Sequence, residues 1–238
     1  MSVSVIIPWR AGCLHREAAL AWVLARWHTR CPSWQVQVSV HEGGPWSKGA
    51  AVGAAVPLCR GRVVVIADGD VWTDGVADAV AAVEAGEAGW AIPHRTVYRL
   101  THAATTEVLA GVEPHAGMPT TRDPYPGVPS GGVVVQTAEV LEQVPVDPRF
   151  HGWGQEDESR GWWALPVLAG PPWVGSGPLW HLWHPPAARL DARRGSQEGM
   201  ELYLRYQSAG QQPPDRRAVA MRALVAEARC AVRSQDTI

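Results

Sequence analysis

Between Val63 and Trp72 the chain reads VVVIADGDVW, an apolar run closed by two carboxylates, Asp68 and Asp70, with Gly69 between them. The run is short and β-branched, which reads as a fully buried strand. Asp68 and Asp70 then stand where that strand leaves its sheet, the end at which ligands bind in open α/β sheets. Two carboxylates at this spacing could face one side and share a hard divalent cation, which in turn would hold a phosphate-bearing ligand. Gly69 lets the backbone bend there and a ligand approach closely. Asp and Gly are also ordinary turn residues, so the same three suit a plain polar turn.

Four further groups carry chemistry. Pro8-Trp9-Arg10 ends the first apolar run, where Trp9 could sandwich a base and Arg10 reach a phosphate or carbonyl. The bland equivalent is a strand end with a solvated arginine. Gly152 to Arg160 reads GWGQEDESR, with Trp153 fixed between Gly152 and Gly154 and with Glu156, Asp157 and Glu158 at a helix start. The positive end of a helix dipole tolerates such acids, and acidic first turns are common. That does not account for a rigid aromatic held between glycines. His181 and His184 stand three residues apart among tryptophans. Strand alternation puts them on opposite faces, so one is expected to point at a site, where an imidazole with two carboxylates suits Mn²⁺. Ser130-Gly131-Gly132 opens a strand whose bare backbone could contact a substrate.

These groups need elements to position them. A strand is expected over Val3 to Pro8, a helix over Leu14 to Thr29, and a half-buried strand over Trp34 to His41. In the helix Leu14, Ala18, Ala21, Trp22 and Ala25 form the inward face, leaving Arg16, Glu17 and Arg26 outside. In the second strand Trp34, Val36, Val38 and Val40 point inward. A small-residue helix follows from Lys48 to Leu58, then the Val63 strand, a helix near Asp74 to Glu84 and a strand near Gly89 to Pro93. This cadence predicts a mostly parallel sheet with right-handed crossovers and flanking helices. Gly111 to Gly132 is rich in Pro and Gly and long for a loop, the character of a lid. Beyond it come a strand over Gly131 to Gln136, short helices over Thr137 to Val144 and Gly154 to Ala164, strand potential at Leu179 to Trp183, and a helix over Asp215 to Arg233.

The 238 residues suit a single domain with a real core, 46% hydrophobic and 18% charged. A net charge of −2 gives no pull toward nucleic acid or an anionic membrane. Cys13, Cys31, Cys59 and Cys230 are scattered, which fits a reducing cytoplasm rather than a zinc site or disulfide framework. Met1 to Pro8 is too short and uncharged for a leader, and no apolar run reaches membrane-spanning length. Lys48 is the single lysine, Phe150 the single phenylalanine, and asparagine is absent, a bias that suits a GC-rich coding genome. Against that drift both Lys48 and Phe150 gain a little interest. The 13 tryptophans exceed what such a core needs, and part of them could line a sugar or nucleobase site. No G-x-G-x-x-G or G-x-x-x-x-G-K-S/T follows a strand, which argues against a dinucleotide fold or a P-loop.

Taken in order, a strand ending in Pro-aromatic-Arg, one ending in Asp-x-Asp (DXD), a Gly-Gly strand, GWG-x-ED and a late histidine resemble GT-A glycosyltransferases. The pattern is similar to that of the β-1,4-galactosyltransferase group and of family-2 enzymes that share its GWG-x-ED segment. The resemblance runs from Val3 to about His184. It implies a Rossmann-like GT-A domain, with a nucleotide-binding half at 1–95, an acceptor and catalytic half at 96–190 and a helical tail at 191–238. It also implies a hexosyltransferase that moves a sugar from a nucleotide-sugar donor, expected to be UDP-linked, to a hydroxyl of a glycan, protein or small molecule. Pro8 and Arg10 would lie along base and ribose, and Trp9, Glu42, Lys48, Asp68 and Gly69 would complete the nucleotide site. Asp70 and His184, with Asp68, would ligate Mn²⁺ or Mg²⁺, and His181 is the second choice. Gly131, Gly132, Trp153 and Gly154 would border the sugar and acceptor. Glu156 would hold the donor sugar and Asp157 would deprotonate the acceptor, giving inversion. Arg16 would stand in for a second basic residue after Trp9. Without a membrane segment, a cytoplasmic enzyme of bacterial or viral origin is expected. The competing classes are a nucleotidyltransferase of related fold and a non-catalytic sugar-binding module.

Overall fold

The computed structural model describes residues 2–186 and 196–235. In chain order its elements are β1 (Val3–Trp9), α1 (Leu14–Arg30), β2 (Gln35–Val40), α2 (Lys48–Ala55), β3 (Val63–Ala67), β4 (Val71–Trp72), α3 (Val76–Glu84), β5 (Trp90–Ile92), β6 (Thr96–Arg99) and α4 (His102–Leu109). They continue with β7 (Val133–Thr137), α5 (Ala138–Gln143), α6 (Glu156–Glu158), α7 (Leu165–Leu168), β8 (Trp173–Val174), β9 (Pro178–His181), α8 (Gln197–Gly210) and α9 (Pro214–Gln235). A π-helical segment, Ser159–Ala164, joins α6 to α7.

Six strands form the main sheet in the order β2-β1-β3-β7-β5-β8, and β7 alone runs against the others. This is the mixed, mostly parallel sheet with flanking helices that the sequence predicts. Both faces are covered, which is why β1 and β3 are buried at every position. Val3, Val5 and Ile7 pack toward α1 and α3, while Ile6, Val64 and Ile66 pack toward α2, α8 and α9. Because β7 is reversed, its leading Gly131-Gly132 arrives at the same sheet end as Asp68, whose backbone N–H donates to Gly132 O at 2.8 Å.

A second sheet, β4-β9-β6, sits at that end. Its strands of two to four residues are too short to show periodicity, and only β9 has a counterpart in the sequence reading. β4 pairs with β9 so that Val71 faces His181, and Leu182 N–H donates to Asp70 O at 2.9 Å. β6 lies on the other edge of β9, with Arg99 opposite His181. The long Pro/Gly segment docks along β6 through Val97–Tyr125 and Leu100–Thr120 bridges, and so forms a wall. α4, β8 and α8 are further elements that the sequence reading did not separate.

Two predicted faces need correction. The buried side of α1 is Arg16, Ala19, Val23 and Trp27, while Leu14 is 81% exposed. Alanine and tryptophan occur all round this helix, so the apolar stripe is degenerate. Trp27 settles the rotation by packing edge-on to Trp72 at 4.9 Å. In β2, Val40 is exposed because the strand is the sheet edge and ends there, whereas Trp34, Val36 and Val38 do pack on the core.

The start of α2 is pinned from outside. Ser47 Oγ caps Ala50 N–H at 3.2 Å and donates to Pro148 O at 2.9 Å. Asp147 in turn accepts from Tyr206 Oη at 2.9 Å, which ties in α8. At Gly49 a Cβ would lie 2.5 Å from the carbonyl carbon of Asp147, so only glycine lets the helix come this close. Gly49→Ala is therefore expected to destabilise the fold by about 1–3 kcal/mol, as overpacking does. A urea midpoint equal to wild type would contradict this close approach.

Candidate functional site

Asp70, His181 and His184 each bring one ligand atom to within 4.8 Å of the others, the arrangement of a candidate metal centre. Asp70 is held there by the β4–β9 pairing, and His184 Nε2 lies 3.3 Å from Asp70 Oδ2. Both imidazoles face the group, which corrects the expectation that one would point away. Strand alternation no longer holds because β9 ends at His181, three residues before His184. His181 Nδ1 is 2.9 Å from Leu182 O and His184 Nδ1 is 2.8 Å from Pro185 O. A carbonyl only accepts, so each Nδ1 carries a proton; in His181, neutral at pH 7, this leaves the lone pair on Nε2, while His184 Nε2 faces the Asp70 carboxylate. Backbone partners of this kind commonly orient metal-ligating histidines. One carboxylate and two imidazoles suit Mn²⁺ and fit Mg²⁺ less well, since Mg²⁺ prefers oxygen.

Burial works to raise the Asp70 carboxyl, but His181, His184 and Arg16 together hold it below the ordinary value. Burial also pushes His181 down to about 4, and the guanidinium of Arg16 is a standing counter-charge beside Asp70. Arg16 Nε lies 3.4 Å from Asp70 Oδ2, and the guanidinium is sandwiched between the rings of Trp9 and Trp153 at 4.8 and 4.7 Å. The apolar spacing of α1 predicts a solvent-facing Arg16; the observed rotation of the helix puts it in the site.

A second charged group stands opposite. Lys48 Nζ lies 2.9 Å from Asp68 Oδ1 and 3.0 and 3.2 Å from the two oxygens of Asp157. Asp68 therefore turns to Lys48 and does not join the Asp70–His181–His184 group. Burial opposes the charge on Lys48, yet Asp157 and Asp68 overcome it and hold the amine above its ordinary value. Burial raises Asp157, against the pull of Lys48. Glu156, buried and beside Asp157, is pushed up to about 8, and its Oε2 has no hydrogen-bond partner among the described residues. The chain enters this turn through Gly152 (φ 83°), Gly154 (φ 105°) and Gln155, the one non-glycine residue of positive φ among those described (φ 67°). Such strain in a non-glycine residue is a mark of functional sites. Trp153, between the glycines, stacks on Trp46 at 5.2 Å.

A cavity of about 530 Å³ joins the two groups. Asp70, His181, His184, Lys48, Asp68 and Pro8 line it on the strand-end side. Gly131, Gly132, Trp153, Gly154, Glu156 and Asp157 line it on the other. Trp9, Arg10, Glu42 and Gly69 do not reach it. Trp9 is buried against Gly69, where a Cβ would come within 3.0 Å of its ring; Arg10 donates to Gly44 O at 2.9 Å; Glu42 is exposed. Arg99, Tyr125, Trp46 and Trp183 line the cavity without a signal in the sequence that marks them. A larger cleft of about 730 Å³ between α2, α5 and α9 holds none of these groups.

No family model and no curated protein matches the chain. Solved structures of similar shape include a variant of Drosophila β-1,4-galactosyltransferase 7 with manganese, UDP-Gal and xylobiose, at 13% identity and TM-score 0.47 over 82% of this chain and 75% of that one. Glucosyl-3-phosphoglycerate synthase from Mycobacterium tuberculosis with Mn²⁺ and UDP-Glc gives 17% and 0.46 over 88% and 77%. GalNAc-T7 with UDP, GalNAc and Mn²⁺ gives 14% and 0.49 over 90% and 49%. Likeness this distant leaves the chemistry to the side chains themselves.

The Glu156 carboxyl gives a sign that can be measured. Raised to about 8 in the fold from an ordinary 4.5, it holds its proton more tightly folded than unfolded. Its contribution to stability therefore falls as pH rises from about 4.5 to about 8, then levels. Glu156→Gln removes that slope, so the melting temperature of the variant relative to wild type should rise across this window. A constant difference between about pH 5 and pH 8.5 would contradict the buried, proton-holding carboxyl.

Proposed function

We propose that this chain is a metal-dependent glycosyltransferase of GT-A type. It moves a sugar from a nucleotide-sugar donor, UDP-linked on this reading, to an acceptor hydroxyl with inversion. The observation that carries the proposal is the facing of two charged groups across one cavity. Asp70, His181 and His184 stand on one side, and the Lys48-held Asp157 with Glu156 on the other. On this reading residues 1–95 supply most of the nucleotide side and residues 96–190 the acceptor side.

Asp70, His181 and His184 would hold Mn²⁺, which when bound acts as a Lewis acid toward a leaving diphosphate. Everything else falls to the chain's own residues. Asp157 takes the acceptor proton as the acceptor oxygen attacks the anomeric carbon. The bond from that carbon to the diphosphate breaks, and its electron pair leaves with the diphosphate oxygen. Lys48 opposes the burial that raises the Asp157 carboxyl and holds it in place until the acceptor arrives. Glu156, protonated at neutral pH, offers an O–H to a sugar hydroxyl and can accept in return. Trp153, its ring held between Arg16 and Trp46, borders the space the sugar would take. Gly131 lies beside Asp157, where a Cβ would make ordinary contact with Oδ2 at 3.4 Å.

The competing classes fit less of this arrangement. A nucleotidyltransferase would use a basic, glycine-rich loop after β1, but here the loop leads straight into α1, whose Arg16 turns to Asp70. A binding module has no use for a buried lysine that maintains a carboxylate pair.

Thermal shift with UDP separates these readings. UDP is expected to stabilise the wild type only with Mn²⁺ present, and Asp70→Asn should abolish that stabilisation. Asp157→Asn should keep it while turnover of the sugar nucleotide falls roughly 10²–10⁴-fold, the usual size of a general-base contribution. Stabilisation by UDP that is indifferent to Mn²⁺ and to Asp70 would contradict the metal assignment.

A further inference from the structure

Among the described residues three cations line the cavity, and two are neutralised inside the protein. Lys48 is paired with Asp68 and Asp157, and Arg16 with Asp70. Arg99 is the third. It is half-buried at the end of β6, and among the described residues no carboxylate forms an ion pair with it. Its contacts are neutral and directional. Nε donates to Tyr125 Oη at 2.7 Å, and Nη1 lies 3.1 Å from His181 Nε2. Since His181 carries its proton on Nδ1, the Nε2 lone pair accepts from Arg99.

A half-buried guanidinium without a counter-charge is costly unless something brings negative charge to it. Strand register shows where that charge would be. β9 carries His181 between β4 on one edge and β6 on the other, so Arg99 is placed opposite His181 just as the Asp70 segment is. A ligand bound at Asp70, His181 and His184 thus sits within reach of a planar donor fork suited to phosphate oxygens. His181 Nε2 cannot serve a metal ion and Arg99 at once, so filling the site frees the guanidinium to turn to that ligand.

We propose that Arg99 is a phosphate-binding residue that exchanges His181 Nε2 for the oxygens of the diphosphate held at this centre. The identification of the anion as a leaving diphosphate rests on the glycosyltransferase reading. When the bond to the anomeric carbon breaks, the electron pair remains on the diphosphate oxygen, and the N–H groups of Arg99 face the group that gains this charge. Tyr125 keeps hold of Nε during the exchange, so the arginine pivots rather than swings free.

The test is calorimetric titration of UDP, inorganic pyrophosphate and Mn²⁺ alone into wild type, R99Q and R99K. In the presence of Mn²⁺, R99Q should bind both UDP and pyrophosphate roughly ten- to a hundred-fold more weakly, the scale of lost charge-assisted hydrogen bonds. R99K should recover part of the loss. Mn²⁺ alone should bind R99Q no more weakly than wild type, which a merely structural role for Arg99 would not give. Unchanged affinity of R99Q for both phosphates overturns the proposal. If KM for a charged acceptor then rises instead, Arg99 belongs to an anionic acceptor and the leaving-group assignment falls. Wild-type protein that takes up pyrophosphate through Arg99 yet binds no nucleoside diphosphate, UDP included, would uphold the phosphate site while sinking the glycosyltransferase reading. Failure of wild type to bind pyrophosphate with Mn²⁺ sinks the proposal itself.

Discussion

One buried ammonium ties this site together. Lys48 leads α2, Asp68 follows β3 and Asp157 lies in α6, and the three meet within about hydrogen-bond distance across 109 residues of chain. Each partner depends on the others. Removing the ammonium would leave two carboxylates, each only partly open to solvent, facing each other without a counter-charge. A compact ammonium can donate to two carboxylates in different directions, which a planar guanidinium does less well. That geometry gives a physical reason for one lysine in a chain that otherwise uses arginine. The cost of burying it is shared by the cap at Ser47, the close approach at Gly49 and the Asp147–Tyr206 anchor behind them.

The two sheets divide the remaining work. The main sheet delivers Asp68 and the Gly131-Gly132 turn to one end, because β7 is reversed relative to its neighbours. The small sheet has no core of its own; its strands register Asp70, His181 and Arg99 side by side. Arg16 bridges the two. Its charge meets Asp70 while its flat faces meet Trp9 of β1 and Trp153 of the glycine-flanked turn. A change at Trp153 is thereby felt at Asp70 through a single side chain.

How much of this was legible follows from range. β1, β3 and the carboxylates after β3 are local patterns, a β-branched run and a polar ending, and they stand where the sequence predicts. The acidic turn was legible because Trp153 between glycines is unusual, although the left-handed Gln155 that sets its angle leaves no trace in composition. Lys48 was marked by rarity, but its partners were not, since nothing local joins positions 48 and 157. The small sheet was invisible because two to four residues carry no period. With it went the reason that both histidines face Asp70, and any hint of Arg99. Arg16 was misplaced for a different reason: a helix rich in alanine and tryptophan has several equivalent apolar faces, and only the packing of Trp27 on Trp72 chooses among them.

The central claim is that the charged groups have separate tasks, metal at Asp70, His181 and His184, and proton handling at Asp157. Diffraction at the manganese absorption edge, from crystals grown with UDP and Mn²⁺, tests it most directly. The account predicts one anomalous peak in contact with Asp70 and the Nε2 atoms of His181 and His184, with Lys48 still against Asp157. A peak between Asp68 and Asp157, with Lys48 displaced, would contradict the division and return the metal to the other side of the cavity.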